Sequence, residues 1–236
     1  KEGSGYVLNG QKAVVFGAPQ ACHLLVTART AGGQRDAKGV SLFLLPKSTK
    51  GVTTREYPTM DGTRAAEVYF ENVSLGGEHL LGEADGALPI VEHIVDQANA
   101  AYCHEAVGAM RMMCSLTQEY AKTRKQFGRA IAEFQVLQHR MVDMFMAAEE
   151  SYSMALRATL KLGESAEERA KAVSAAKVSI GKASRFVGQA AVQTHGGMGV
   201  TDEMRVGHYF KRVTMLDATF GNVDHHLKRF MSAKAA

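Results

Sequence analysis

The 236-residue chain carries 28 Lys and Arg against 24 Asp and Glu, is 46% hydrophobic and has no tryptophan. That composition marks a globular chain with enough apolar material for one large domain or two modest ones, and its scattered basic residues argue against a nucleic-acid surface. Three cysteines, Cys22, Cys103 and Cys114, are too few and too oddly numbered for a disulfide framework. They read as thiols of a reducing compartment, so a cytoplasmic protein is expected; no run reaches the length of a membrane-spanning helix and no secretory signal opens the chain.

The opening Lys1-Glu-Gly-Ser-Gly-Tyr6 reads as the middle of a hairpin, so earlier chain is expected before it. Short apolar runs then alternate with turns: Tyr6–Leu8 and Gln11–Val15 around Asn9-Gly10, Leu24–Ala28, Val40–Leu45, Thr53–Tyr57 and Glu67–Val73. Asn-Gly is a strong hairpin signal, because both turn positions favour positive φ. Residues 1–77 are therefore expected to be an antiparallel sheet or partial barrel.

From residue 78 the pattern is helical, giving an α+β chain whose second part, 78–236, is an up-and-down bundle of the four-helix type. A first helix is expected from Ala87 to about Gln126, with Ile90, Ile94, Ala98, Ala101, Glu105, Gly108 and Met112 at helical spacing. A break at Phe127-Gly128 precedes a second helix from about Glu133 to Leu162. Ser165-Ala-Glu-Glu168 is a capping box opening a third that reaches Thr194, with Ala172, Ala176, Ser179, Ala183, Phe186 and Ala190 recurring along it. Asp202 and Glu203 suit the positive end of a fourth helix, and a fifth is expected over roughly 222–234.

Chemistry concentrates at two places. Gln193-Thr-His-Gly-Gly-Met-Gly-Val-Thr201 ends the third helix with bare glycine backbone, which either caps the helix or presents N–H groups to a pyrophosphate. Arg124-Lys-Gln-Phe-Gly128 sets a guanidinium where a helix ends, suited either to the helix dipole or to phosphate. The histidines lack metal-ligand spacing, so no metal is expected. Neither a nucleophile elbow nor a Rossmann or P-loop fingerprint is present.

Arg124-Lys-Gln-Phe-Gly128, then Glu133-Phe-Gln-Val-Leu-Gln-His-Arg-Met-Val-Asp-Met144, then Val192-Gln-Thr-His-Gly-Gly-Met-Gly-Val-Thr201, follow one another in an order and spacing that resemble the acyl-CoA dehydrogenase family. Tyr6-Val-Leu-Asn-Gly-Gln-Lys12 resembles its middle-domain hairpin. The resemblance implies an N-terminal helical domain, absent here, then a β domain and a C-terminal bundle. It also implies FAD bound between the latter two with its adenosine end at a neighbouring subunit, a dimer or tetramer, an acyl-CoA substrate and an electron-accepting flavoprotein. Carried over by position, Arg124, Gln126, Phe127, Phe134, Gln135, Gln193, Gly196, Gly197, Asn222 and Asp224 contact cofactor. Asp96 and Asn99 fall where the acyl-CoA chain is touched, although an arginine is common at the latter.

The catalytic region departs from the family. Phe220 occupies the position of the usual Glu base, and Ala98 the alternative one, so neither holds a carboxylate. Asp217 and Asp224 are the candidate bases nearby. The β-domain flavin wall, W-I-T in the family, reads Val14-Val15-Phe16.

Overall fold

The computed structural model describes residues 1–233; Lys234, the end of the expected fifth helix, lies outside them. The chain divides into two compact units, Lys1–His93 and Ile94–Ala236. The first holds β1 (Tyr6–Phe16), β2 (His23–Arg29), β3 (Val40–Pro46), β4 (Val52–Pro58) and β5 (Arg64–Leu75). β5 is central to an antiparallel sheet of order β1-β5-β4, and β2 pairs with β3. Phe43, Leu45, Val68 and Val73 fill the core, and Tyr6 meets Phe43 edge-on at 4.9 Å.

Asn9-Gly10 is not a hairpin turn. It lies inside the single strand β1, whose halves pair with the same partner strand, Leu8 opposite Val73 and Gly10 opposite Phe70. Asn9 thus faces two residues, Glu71 and Asn72, and its Oδ1 accepts the Asn72 N–H at 2.8 Å. Gly10 keeps a positive φ of 140°, and across from it Asn72 takes one of 49°. The extra residue flips the alternation of β5, buried at Ala66, Val68 and Phe70 before it and at Val73 and Leu75 after it. A bulge keeps both halves of a long strand facing one core, where an unbroken alternation would expose one half.

The helices are α1 (Leu88–Thr123), α2 (Gln135–Leu160), α3 (Ala166–His195), α4 (Arg205–Ala218) and α5 (Val223–Ser232), with a two-residue-strand hairpin, β6 (Lys125–Gln126) and β7 (Arg129–Ala130), between α1 and α2. α3 packs against α2, α4 and α5. Its buried side is built from Ala172, Ala176, Gly181, Ser184, Gly188 and Ala191, small residues that let neighbouring helices come close. A methyl at Gly188 would run into the Phe210 ring of α4. The Ser165 hydroxyl accepts the Glu168 N–H at 3.3 Å, capping α3.

Three local expectations are corrected. In α1 the stripe through Ile90, Ile94 and Met112 is solvent-facing, each of the three at least 39% exposed. The buried stripe runs through Asp96, Asn99, Cys103, Val107, Met110, Met113 and Thr117. Polar residues interrupt that stripe and disguise it, although Asp96 pairs with arginines and the Thr117 hydroxyl donates to Met113 O at 2.7 Å. Phe186 of the small-residue series is 42% exposed. Asp202 and Glu203 stand before α4, whose N-cap is Met204. Asp202 instead accepts from the His208 ring through its carbonyl at 2.8 Å and meets Lys211 through its carboxylate at 3.7 Å. Among the described residues no helix is long and apolar enough to cross a membrane, and no group of three His, Cys, Asp or Glu side chains is arranged to hold a metal.

Candidate functional site

Two stretches separated by about seventy positions of sequence line one cleft of about 780 Å³ in the second unit. Its wall contains Arg124, Gln126, Phe127 and Phe134 from the α1–α2 connection and Gln193, Gly196 and Gly197 from the end of α3. The size is that of a small-molecule site.

The connection is held as a tight hairpin. Phe127 and Gly128 adopt φ of 53° and 80°, the paired positive values of a primed two-residue turn. A bulky residue at positive φ is strained, and Phe127 gains no burial for it, being 92% exposed. Phe134 lies edge-on to Phe127 at 6.1 Å and carries the Arg129 guanidinium over its face at 4.3 Å. Arg124 follows the last turn of α1, its N–H bonded to Tyr120 O and its carbonyl to the Ile131 N–H. Its side chain is exposed and holds no carboxylate among the described residues.

α3 ends at His195, and Gly196, with φ 62°, begins a turn of 3-10 helix to Val200. Built side chains at Gly196 and Gly197 would meet nothing and would project into open space. Gly199 differs: a methyl there would strike Val192 O, so it is a packing glycine. α2 presents its N-terminus to the same cleft through Phe134, Val136 and Leu137 and has no side-chain cap. An uncapped helix N-terminus favours anions.

Two further lining residues, His195 and Arg140, lie within the stretches that resemble the family but are not among the expected cofactor contacts. His195 is 2% exposed and stacks on Tyr120 at 4.4 Å. Its Nδ1 donates to Ala191 O at 2.8 Å, because a carbonyl only accepts, and its buried Nε2 has no partner among the described residues. Arg140 lies one turn beyond Val136 and Leu137 on α2, a spacing that puts all three on one face. The lining therefore holds two arginines and no carboxylate. Unpaired guanidiniums, bare glycine backbone, exposed aromatic rings and an orphaned imidazole nitrogen fit a ligand with phosphates, hydroxyls and a flat ring.

The remaining candidates lie elsewhere. Gln135 is exposed at the first position of α2 and does not line the cleft. Asn222 caps α5, its Oδ1 accepting the His225 N–H at 3.0 Å, and Asp224 is exposed in the first turn of that helix. Phe220 takes φ 53° between α4 and α5 and stacks on Tyr102 of α1 at 5.8 Å. Beneath this loop the buried Lys177 ammonium donates to the carbonyls of Leu216, Asp217 and Thr219 at 2.8, 3.3 and 3.0 Å, closing the C-terminus of α4; burial lowers its pKa. The Asp217 carboxylate is turned onto α3, with Oδ2 3.5 Å from Arg185 and Oδ1 buried without a partner among the described residues. Asp96 is fully buried between Arg169 and Arg229. Asn99 is also fully buried, and both amide atoms lack partners among the described residues. In the first unit Val14 takes φ 52° and is 46% exposed, so the Val14-Val15-Phe16 stretch is locally strained.

Two family models cover the chain, the acyl-CoA dehydrogenase middle domain over residues 1–73 and the acyl-CoA dehydrogenase C-terminal domain over residues 88–233. The short-chain specific acyl-CoA dehydrogenase of Mus musculus mitochondria is 30% identical over 214 residues, 89% of this chain and 52% of that protein. The crystal structure of acyl-CoA dehydrogenase from Geobacillus kaustophilus superimposes with a TM-score of 0.90 at 24% identity, over 98% of this chain and 62% of that one. An FAD complex of PigA gives 0.87 at 26% identity, over 96% of this chain and 60% of that one. The chain thus spans about half the length of the curated relative it matches. The chain belongs to the acyl-CoA dehydrogenase family and carries that family's middle and C-terminal domains.

Proposed function

We propose that the chain is the middle and C-terminal part of an FAD-dependent acyl-CoA dehydrogenase that forms the α,β-double bond of a bulky or dicarboxylic acyl-CoA thioester. The observation that carries it is the convergence of Arg124, Phe127, Gln193 and the Gly196-Gly197 backbone on one carboxylate-free cleft. Arg124 offers a planar fork to phosphate, the glycine pair offers N–H groups without a Cβ in the way, and Phe127 and Phe134 offer faces to a ring. When bound, FAD supplies the acceptor for the hydride leaving Cβ. An oligomer, an electron-accepting flavoprotein and a cytoplasmic setting go with this function. The stretches Ala13–Pro19 and Phe210–Leu227 resemble the small subunit of bacterial pimeloyl-CoA dehydrogenase, which supports the dicarboxylic substrate.

A carboxylate must then take the Cα proton. Asp224 is the better placed of the two candidates, being exposed and free of any partner among the described residues, whereas Asp217 is turned onto α3. Under this assignment Asp224→Asn stops acyl-CoA-dependent bleaching of the flavin band while leaving FAD bound. Bleaching at the wild-type rate removes Asp224 from the reaction.

One observation favours a second reading. Phe220 stands where the family's Glu does and is held against Tyr102, so the chain also suits a catalytically silent subunit that lends Arg124 and Gly196-Gly197 to a partner's FAD. Purified full-length protein, mixed anaerobically with acyl-CoA esters, separates the two: a bleaching flavin band supports the dehydrogenase, and a band that no ester bleaches supports the silent subunit. Both expect Arg124→Ala to weaken FAD retention by about 10–100-fold, the value of a lost charge-assisted pair. Equilibrium dialysis of the flavin measures it, and unchanged retention removes Arg124 from the site.

A further inference from the structure

Four arginines of the second unit are not solvent-exposed: Arg140, Arg169, Arg212 and Arg229. Three of them hold carboxylates. Arg169 and Arg229 hold Asp96 at 3.2 and 2.6 Å, and Arg212 holds Glu105 at 2.6 Å. Arg140 holds none among the described residues. It borders the cleft together with Gln193, and these two also border an adjoining groove of about 490 Å³ between α2 and α3, whose other lining residues include Phe186, Gln189 and Phe210. Among the described residues no Asp or Glu lines either space.

A partly buried guanidinium has lost part of its hydration, and an anion compensates that loss more strongly than a neutral acceptor does. Arg140 also lies on the helix whose uncapped N-terminus faces the cleft, so the field of α2 adds to its charge there. Arg124 reaches the same space from a different element, beyond the end of α1. Two unpaired forks on separate elements suit two phosphate groups better than one.

We infer that Arg140 is a second phosphate-binding residue of this cleft, and that with Arg124 it makes the cleft select a nucleoside diphosphate group over a monophosphate. This rests on the reading of the cleft as the FAD site. Arg140 lies within the Glu133–Met144 stretch that resembles the family, but it is not among the positions carried over as cofactor contacts.

The test is a flavin-fluorescence titration of full-length protein with FAD, with ADP and AMP as competitors. Wild type, Arg124→Gln, Arg140→Gln and Arg140→Lys are compared, each checked for an unchanged thermal melt. Arg140→Gln is expected to weaken FAD and ADP about tenfold and to erase the preference of ADP over AMP. Arg140→Lys recovers part of the loss, since it restores charge without the fork. If Arg140→Gln binds ADP as wild type does while Arg124→Gln weakens it, the cleft stands and the role of Arg140 falls. If wild type binds neither FAD nor ADP, both fall.

Discussion

Asp96→Asn lowers the unfolding free energy by about 3–5 kcal/mol, the cost of leaving a buried charge without its partner. Asp96 is 0% exposed, and its carboxylate accepts from Arg229 at 2.6 and 3.1 Å and from Arg169 at 3.2 Å. It therefore ties α1 to α3 and α5 at one point. An amide there retains one acceptor, presents an N–H₂ to a guanidinium and removes the charge, while Arg169 stays buried at 9% exposure. Urea unfolding followed by far-UV circular dichroism measures the change. The same variant bears on the expectation that Asp96 touches the acyl-CoA chain. Three of its roughly four acceptor positions are already taken, so the dominant effect belongs to stability. A variant of wild-type stability with weakened acyl-CoA binding reverses that assignment.

The sequence exposed the site more readily than the packing around it. Arg124–Gly128 and Gln193–Gly197 announce themselves because the chemistry is backbone chemistry: glycines, a positive-φ turn and an arginine at a helix end are written in consecutive residues. Their convergence on one cleft is written nowhere locally, since it depends on α1 and α3 ending at the same level of the bundle. Arg140 and His195 lie inside stretches that resemble the family, but for the same reason neither stood out as a contact. Each is one residue of a helix, and only the tertiary fold shows that one has no carboxylate and the other a bare nitrogen. The order of sheet and bundle was legible from alternation giving way to helical spacing. The face of α1 was not, because in a helix rich in alanine several stripes are nearly equally apolar, and the buried one is marked by Asp96 and Thr117, whose partners are remote or on the backbone. Asn9-Gly10 misled for a related reason: the same φ preferences serve a turn and a bulge, and only the pairing of both halves of β1 with β5 distinguishes them.

His226 should make the second unit acid-sensitive in a defined window. It is 1% exposed at the base of the Phe220 loop. Phe220 O, 3.1 Å from Nε2, only accepts, so Nε2 carries the hydrogen and Nδ1 accepts from the Ser174 hydroxyl at 3.3 Å. The neutral ring satisfies both partners. A second proton would add charge in a buried place already facing Lys177, His225 and Arg229. Burial first, and then the Lys177 ammonium, push the pKa down from 6.5 to about 4, against a smaller opposing effect of the Phe220 carbonyl. With the folded value depressed, the unfolded chain binds more protons between these limits. The contribution to stability is full above pH 6.5 and is lost as pH falls toward 4. Its size is about 2–3 kcal/mol after allowance for solvent relaxation. His226→Gln keeps an N–H for Phe220 O and an acceptor for Ser174 but cannot titrate. Unfolding free energies measured from pH 7 down to pH 4 should therefore fall less steeply in His226→Gln than in wild type, the two curves converging at the acid end. Parallel curves would mean that the ring takes its proton as readily folded as unfolded, and that the clamp on the Phe220 carbonyl does not depend on a neutral imidazole.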